Sequence, residues 1–304
     1  MPVSLPTIVR MVLFLFLALA PAARGATSPP PYAVALRACP VLNTADFAGV
    51  FGCRDGKTLR TDPQGQLRAL EFVALPGTVF IVREARRRGG ATIYRVTTDA
   101  YPYPSTTGYF IDSRFVRPAT APPPARQARL PGMAEIVDRL LAAQGCRYVW
   151  GGNVCQGVPE LLEYYPPAAP LAAEAARRWT LRGLDCSGLL YEATDGFTPR
   201  NTSALITYGR GVPIAGLTAV QIRQLLQPLD LLVWKGHVII VLDRERTIES
   251  RLDYGAAAAQ RDGVLVRPLA EVLAELMRGR VPADRYEERP GAAAKTFVVR
   301  RWYQ

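Results

Sequence analysis

A proline-rich stretch divides this sequence into two regions of different character. Between Ala119 and Pro131 the chain carries three successive prolines, Pro122 to Pro124. Such a segment is typical of a stiff, extended linker, since proline fixes the backbone and removes a hydrogen-bond donor. A chain of 304 residues can bury more than one core. We therefore predict two domains, at residues 38–118 and 132–304, joined by a linker at 119–131.

Residues 38–118 have the pattern of short β-strands. Val79–Val82 and Ile93–Val96 flank an Arg- and Gly-rich turn, and a third strand pattern follows at Gly108–Ile111. Strands at this spacing, separated by Gly and Pro turns, are typical of a small all-β barrel. The tight run Arg86–Arg88 lies at the turn, so we interpret it as a solvated hairpin tip.

After the linker the pattern changes to a helix and then to further strands. Apolar residues recur at helical spacing from Met133 to Leu141 and stop before Gly145, which predicts a helix with one packed face. Several later apolar stretches predict an antiparallel sheet: Leu229–Trp234, His237–Leu242, Arg246–Glu249 and Phe297–Tyr303. Residues 153–182 are interpreted as an insertion that lies over or beside the functional site.

Residues 1–25 have the pattern of a secretory signal peptide. Arg10 precedes an apolar block at Met11–Ala20, and the small residues up to Gly25 offer a cleavage point. The block is too short for an ordinary membrane span, although an uncleaved anchor is the alternative. We expect an exported protein of the periplasm or cell envelope, with no stable membrane span after cleavage.

The net charge of the chain is +11. A basic exported protein suits an anionic partner such as an envelope polymer or a membrane surface. Nucleic acid is not expected as a partner, because an exported chain has little access to it and the arginines are scattered. We expect a monomer.

The five cysteines also fit an exported chain. Cys39 and Cys53 are close in sequence, as are Cys146 and Cys155, and each pair could close a short loop, although spacing does not fix connectivity. Cys186 is then left unpaired, as a nucleophile must be. The alternative is that all five are reduced and Cys186 is an inert buried thiol. No zinc site is expected, because there is no C-x-x-C pair and only one histidine.

Cys186 begins a predicted helix in the stretch Gly183–Tyr191. The unpaired N–H groups and the dipole at a helix N-terminus favour the charged thiolate. Such a thiolate needs a proton partner, and His237 is the only histidine. A third group should orient the imidazole ring. Glu249, on the neighbouring predicted strand, is the candidate, although strand geometry equally allows a surface carboxylate there; Asp243 lies too near the turn.

Three motifs in this order resemble the NlpC family of bacterial cell-wall cysteine peptidases: Tyr148–Gly152, Asp185–Leu189, and Leu229–Val233 leading to His237–Val241. The resemblance covers Met133 to the C-terminus and implies a papain-like α+β fold, with N-terminal helices packed on an antiparallel sheet. Gly108–Val116 resembles the last strands of bacterial SH3-like domains, a common companion of this family. The layout is also similar to exported chlamydial-type members with a long insertion before the cysteine.

The resemblance implies a peptidoglycan hydrolase that cuts stem peptides, at the bond between D-glutamate and the diamino acid. Cys186 would be the nucleophile, His237 the base and Glu249 the third polar residue, where relatives more often have His, Asn or Gln. Tyr148, Asp185 and Ser187 would line the substrate pocket, with Asp185 suited to hold a free peptide amine. No metal or organic cofactor is expected. The SH3-like domain could restrict the pocket to short peptides.

Three other functions stay open at this point. An N-acetylmuramoyl-L-alanine amidase would cut the sugar–peptide link, and an acyltransferase on the same fold would pass the acyl group to an amine instead of water. A non-catalytic cell-wall binding protein would have no need for an intact Cys/His pair, which disfavours it.

Overall fold

A computed structural model of the chain describes residue 1 and residues 29–253, 262–287 and 295–303. The predicted signal peptide at residues 1–25 lies, apart from Met1, outside the described residues. The protein is mixed α/β, with mainly antiparallel sheets. Among the described residues, no helix is both long enough and apolar enough to cross a membrane.

The region before the linker consists mainly of strands. In chain order the strands are β1 (Tyr32–Ala35), β2 (Cys39–Leu42), β3 (Phe51–Gly52), β4 (Thr58–Leu59), β5 (Leu70–Ala74), β6 (Val79–Arg88), β7 (Ala91–Thr97), β8 (Tyr109–Asp112) and β9 (Val116–Ala119). A single-turn helix α1 (Phe47–Val50) and a 3-10 turn (Ser113–Phe115) interrupt them. The predicted hairpin of β6 and β7 is confirmed, with Arg88 opposite Ala91 at an exposed tip.

Seven of these strands form an open sheet and not the closed barrel that the sequence predicted, while β3 and β4 pair separately. Within the described residues the order is β5-β2-β8-β7-β6-β1-β9, and no pairing joins β5 to β9. Part of the reason lies at β5, where the side chain of Asn153 covers the edge. Its Oδ1 accepts from the Val73 N–H at 2.9 Å, and its Nδ2 donates to the Val73 carbonyl at 2.8 Å. In a closed barrel, these backbone groups of β5 would pair with another strand. Here a side chain of the second region satisfies them instead.

The region after the linker begins with helices and short strands. They are α2 (Met133–Ala142), β10 (Asn153–Val154), α3 (Glu160–Tyr164), α4 (Ala173–Trp179), β11 (Gly183–Leu184), α5 (Cys186–Ala193), α6 (Thr202–Leu205), β12 (Arg210–Val212) and α7 (Ala219–Leu225). The predicted helix from Met133 is confirmed. Its Ile136 and Leu140 are fully buried, and the left-handed backbone of Gly145 (φ 85°) follows its end.

A second sheet completes this region. Its remaining elements are β13 (Leu231–Trp234), β14 (His237–Val241), β15 (Arg246–Arg251), β16 (Gly263–Pro268), α8 (Leu269–Gly279), β17 (Arg280–Pro282) and β18 (Lys295–Arg301). In the described residues the order is β12-β18-β13-β14-β15-β16, and β17 pairs with β18 in parallel. The prediction that β13, β14 and β15 are consecutive antiparallel strands is confirmed.

Helices cover both faces of the second sheet because its strands are apolar on both sides. Val238 and Ile240 of β14 pack in one core with α2 and α5, while Ile239 and Val241 pack in another with α7 and α8. This is an antiparallel sheet with packed helices, as the sequence predicted. The last strand, β18, is internal to the sheet. The division into two separate domains stays a prediction.

The insertion at residues 153–182 packs on the first region. Tyr165 stacks on Phe47 and Phe51, with ring centroids 5.8 and 5.5 Å apart. The Tyr165 hydroxyl donates to the buried carboxylate of Asp112 at 2.5 Å. Trp179, 1% exposed, lies in the same core. The insertion and the first sheet therefore share one apolar core.

Candidate active site

Helix α5 places Cys186 in its first turn. Asp185 caps the helix, because its Oδ1 accepts from the Gly188 N–H at 2.7 Å. Gly188 is required by close packing: a Cβ there would lie 2.0 Å from the Gly152 carbonyl oxygen. Cys186 is 7% exposed, and its Sγ lies 3.9 Å from the carbonyl oxygen of Gly236. The thiol is thus held next to the residue that precedes His237.

The Tyr148–Gly152 motif forms the turn against which α5 packs. The Gly152 carbonyl accepts from the Asp185 N–H at 2.9 Å. Gly151 has a φ of 70°, and a Cβ on it would lie 2.6 Å from the carbonyl oxygen of Leu70 in β5. A Cβ on Gly152 would lie 2.5 Å from the carbonyl oxygen of Gly183, so both glycines are needed for the close packing of this turn.

His237 and Glu249 lie on adjacent strands and form an ion pair. His237 begins β14, Glu249 is in β15, and the His237 Nε2 lies 2.7 Å from the Glu249 Oε2. Arg267 of β16 donates to the other carboxylate oxygen at 3.1 Å. Burial alone would raise the pKa of Glu249, but the hydrogen bond and charge of His237 lower it below its ordinary value. The predicted pairing of these two residues is observed; their catalytic roles stay predictions.

The imidazole of His237 is favoured in its protonated form. Burial lowers its pKa, but hydrogen bonds to Cys186 and Glu249 raise it by more, to about 9. Since Nε2 bonds Glu249, Nδ1 is the ring nitrogen left for Cys186. The side chain is 19% exposed. A protonated ring that lies next to a thiol and is bonded to a carboxylate has a proton to donate to a leaving group.

Arg200 is the site residue that sequence reasoning missed. It is 4% exposed and forms a bidentate ion pair with Asp185, at 2.9 and 2.7 Å. It also donates to Ser187 Oγ at 2.9 Å, Asn153 Oδ1 at 3.1 Å and the Gly152 carbonyl at 3.1 Å. Burial lowers the pKa of Arg200, but charge and hydrogen bonding, above all with Asp185, raise it by more, so the pKa lies above its ordinary value. The one sequence signal was Asp185 itself, since a carboxylate beside a buried thiol requires a cation.

The three predicted substrate-binding residues all lie near Cys186 but differ in access. Tyr148 lines a cavity next to His237, and burial and the charges of Asp185 and Cys186 raise its pKa. Asp185 and Ser187 are only 9% and 5% exposed and are bonded to Arg200. Their role in binding substrate stays a prediction.

The cavity beside His237 has a volume of about 560 Å³. Three aromatic side chains line it, Tyr148, Trp150 and Trp234, together with Glu249 and several cationic residues. One of those cations is Arg68, from the first region, which lies over the Trp150 ring at 4.0 Å. No residue of 153–182 lines this cavity. The insertion was predicted to lie over or beside the site. It does not cover this cavity, but Asn153 at its start lies beside the site, where its Oδ1 accepts from Arg200.

Of the two cysteine pairs suggested by the sequence, one forms a disulfide and the other does not. Cys146 and Cys155 form a disulfide, with Cα atoms 6.0 Å apart. Cys39 and Cys53 are both free. Cys39 is fully buried in β2, whereas Cys53 is exposed in a turn with a φ of 49°. Within the described ranges, no group of three or more His, Cys, Asp and Glu side chains could hold a metal ion.

Comparison with known proteins adds a distant likeness. No family model matches the chain, and no curated protein matches it. A solved structure described as an NlpC/P60 family protein from Bacillus cereus ATCC 10987 is 14% identical, with a TM-score of 0.32. The match covers 90% of this chain and 63% of the Bacillus cereus protein, so this chain spans less than two thirds of the length of that protein. At this TM-score the likeness supports no conclusion about fold or activity.

Proposed function

We propose that this protein is an exported cysteine peptidase that cleaves the stem peptides of cell-wall peptidoglycan. The observation that carries the proposal is the arrangement of Cys186, His237 and Glu249. A nearly buried thiol at a helix start contacts an imidazole, and a buried carboxylate orients that imidazole at 2.7 Å. These are the parts that nucleophilic acyl transfer requires.

The reaction follows from these positions. The Cys186 thiolate attacks the amide carbonyl carbon, and backbone N–H groups in the first turn of α5 stabilise the oxyanion. His237 donates its proton to the departing amine, which breaks the C–N bond. The neutral ring then takes a proton from water, and the hydroxide attacks the thioester. The acid product leaves and the thiolate and imidazolium are restored, while Glu249 holds the ring in place throughout.

The substrate part of the proposal rests on the motifs around Tyr148, Asp185 and His237, which resemble those of the NlpC family. That resemblance favours the bond between D-glutamate and the diamino acid, a papain-like fold and an SH3-like first region. The position of Arg68 supports a role for the first region, since this residue forms part of the cavity wall. A basic exported chain also suits an anionic wall polymer.

The test is digestion of purified peptidoglycan and synthetic stem peptides by the chain without residues 1–25, read by mass spectrometry. We expect the native protein to cut one amide bond, with fragment masses that identify it. Cys186→Ala should abolish the cut, whereas Cys53→Ala, which removes an exposed free thiol, should leave it unchanged. Fragments split at the sugar–peptide link would identify an amidase instead. Retention on peptidoglycan without cleavage would contradict the peptidase and favour a binding protein.

A further inference from the structure

The cavity beside His237 carries cations that are stacked on tryptophan rings. Arg280 lies over the Trp234 ring, with its guanidinium carbon 4.2 Å from the ring centroid. The same ring lies 5.2 Å, centroid to centroid, from the His237 imidazole. Trp234 therefore places Arg280 one aromatic ring away from the reacting groups. A guanidinium that stacks on a ring keeps its N–H groups in its own plane, where they can donate to a ligand.

The cations of this cavity differ in their partners. Arg267 and Arg251 are paired with the acids of the cavity wall, Glu249 and Glu275, at distances from 2.5 to 3.8 Å. Arg280 instead donates to the backbone carbonyl of Thr296 at 3.3 Å. Among the described residues, no carboxylate lies within ion-pair distance of Arg280. Partial burial lowers the pKa of Arg280, which indicates a positive charge that is poorly compensated.

A second cation lies directly next to Arg280. In the parallel pair of β17 and β18, Arg280 is the register partner of Lys295, and both side chains line the cavity. Like charges opposite each other on neighbouring strands destabilise the pairing. A bound anion between them would remove that repulsion and would gain charge-assisted hydrogen bonds from both.

On the Cys186 side of the site, the charge of Asp185 is not available to a ligand. Both oxygens of Asp185 accept from the buried Arg200, and one of them also accepts from Gly188. This carboxylate is neutralised inside the protein. The cavity wall has more cationic than acidic side chains, since the acids Glu249 and Glu275 are outnumbered by four arginines and Lys295.

We propose that Arg280 and Lys295 form an anion subsite that binds a carboxylate of the peptide substrate beside His237. This inference rests on the proposed function, because it assigns a substrate group to the same site. It predicts that the enzyme distinguishes peptides with free carboxylates from otherwise identical peptides in which these groups are carboxamides.

The experiment uses the full mature chain with Cys186→Ala, so that binding is measured without cleavage. The ligands are the tripeptide L-Ala–γ-D-Glu–L-Lys with free carboxylates and the same tripeptide with both carboxylates amidated, titrated by calorimetry. We expect the free acid to bind about tenfold tighter, as for hydrogen bonds to a charged group. Adding Arg280→Gln should bring the two affinities together, whereas Arg280→Lys should keep part of the difference.

The matched control is Arg223→Gln, which removes an equal charge from a residue outside the cavity lining, where it pairs with Glu245. It should leave the tenfold ratio unchanged. Lys295→Gln provides a second variant in case Arg280→Gln fails to fold, and it should also reduce the ratio. Equal binding of both tripeptides, binding of neither, or an unchanged ratio in both Arg280→Gln and Lys295→Gln would overturn the subsite.

Failure of the subsite and failure of the peptidase are separable. Cleavage of both tripeptides by the native chain with equal kcat/KM would reject the subsite and keep the peptidase. Carboxylate-selective binding with no cleavage by the native chain would reject the peptidase and keep the subsite.

Discussion

The two sides of the Cys186–His237 pair are built in different ways. On the nucleophile side, Asp185 is paired with Arg200, and Arg200 in turn bonds Asn153, whose side chain covers the edge strand of the first sheet. On the base side, Glu249 is paired with His237 from the adjacent strand of the same sheet. The nucleophile is therefore positioned through contacts between distant segments, and the base through local strand pairing.

This difference leads to separate expectations for the two sides. Changes on the base side should act on chemistry and its pH dependence, because they alter a proton donor at the rim of a cavity. Changes on the nucleophile side should act first on stability, because they leave buried polar groups without partners.

The largest effect is expected on the base side, from His237→Gln. The variant removes the proposed proton donor, so kcat/KM for the proposed cleavage of stem peptides should fall by about 100- to 10,000-fold. Its melting temperature should also fall, because the buried Glu249 loses one partner, while Arg267 stays bonded to that carboxylate. A variant that retains more than a tenth of the native rate would show that His237 is not the proton donor.

The next largest effect is expected from Arg200→Met on the nucleophile side. It leaves Asp185 buried without its cation, and loss of one partner of a buried pair costs about 3–5 kcal/mol of unfolding free energy. Urea denaturation measures this loss. Adding Asp185→Asn removes the unpaired charge and should restore part of the stability. No loss in Arg200→Met, or a further loss in the double variant, would contradict a structural pair.

A smaller stability effect is expected from Asn153→Ala. Both hydrogen bonds to Val73 are lost and leave buried backbone groups unpaired, at a cost of about 1–3 kcal/mol. Thr218→Ala is the matched control, because this threonine caps helix α7 by accepting from the Gln221 N–H within the second region. Denaturation of both variants in parallel should show the larger loss for Asn153→Ala; the reverse order would show that the contact between the two regions contributes little.

The smallest effect is a pH shift in Glu249→Gln. Glu249 helps to raise the pKa of His237 to about 9. Replacing this carboxylate with the neutral glutamine should therefore lower the pKa of His237 by about one unit. The protonated ring stabilises the folded state fully below its ordinary pKa near 6.5, and this contribution is lost as pH rises through about 9. Glu249→Gln should therefore move both the alkaline loss of activity and the alkaline loss of stability to lower pH.

A pH series of cleavage rates and melting temperatures measures both quantities. Glu245→Gln, at an exposed position in the turn before β15, is the control and should shift neither curve. If activity and melting temperature fall at the same alkaline pH in the native protein and in Glu249→Gln, Glu249 does not affect the pKa of His237.

The same contrast explains what the sequence could predict. His237 and Glu249 lie on strands marked by local apolar patterns and a short turn, so the sequence could place them on neighbouring strands, although strand geometry alone did not decide between a partner of His237 and a surface carboxylate. Cys186 could be placed because a glycine turn and a following apolar run mark a helix start. Sequence patterns therefore located the parts whose positions depend on neighbours along the chain.

Arg200, the Asn153 contact and the position of the insertion could not be predicted in this way. Arg200 lies 15 residues from Asp185, and Asn153 lies 80 residues from Val73. The first contact depends on how segments of the second region pack, and the second contact depends on how the two regions pack; no local period encodes either. The open first sheet has the same origin, since the side chain that covers β5 comes from the other region. A barrel was predicted because strand spacing does not report which edges will be covered.

The most direct test of the central claim is the alkylation rate of each free cysteine in the native chain, measured by peptide mass spectrometry across pH. Cys39, Cys53 and Cys186 are compared in one sample, so Cys53 serves as the exposed, unactivated reference. The account predicts that Cys186 reacts fastest at neutral pH despite its burial, and that His237→Gln removes this advantage. A Cys186 that reacts more slowly than Cys53, with no change in His237→Gln, would contradict an activated nucleophile.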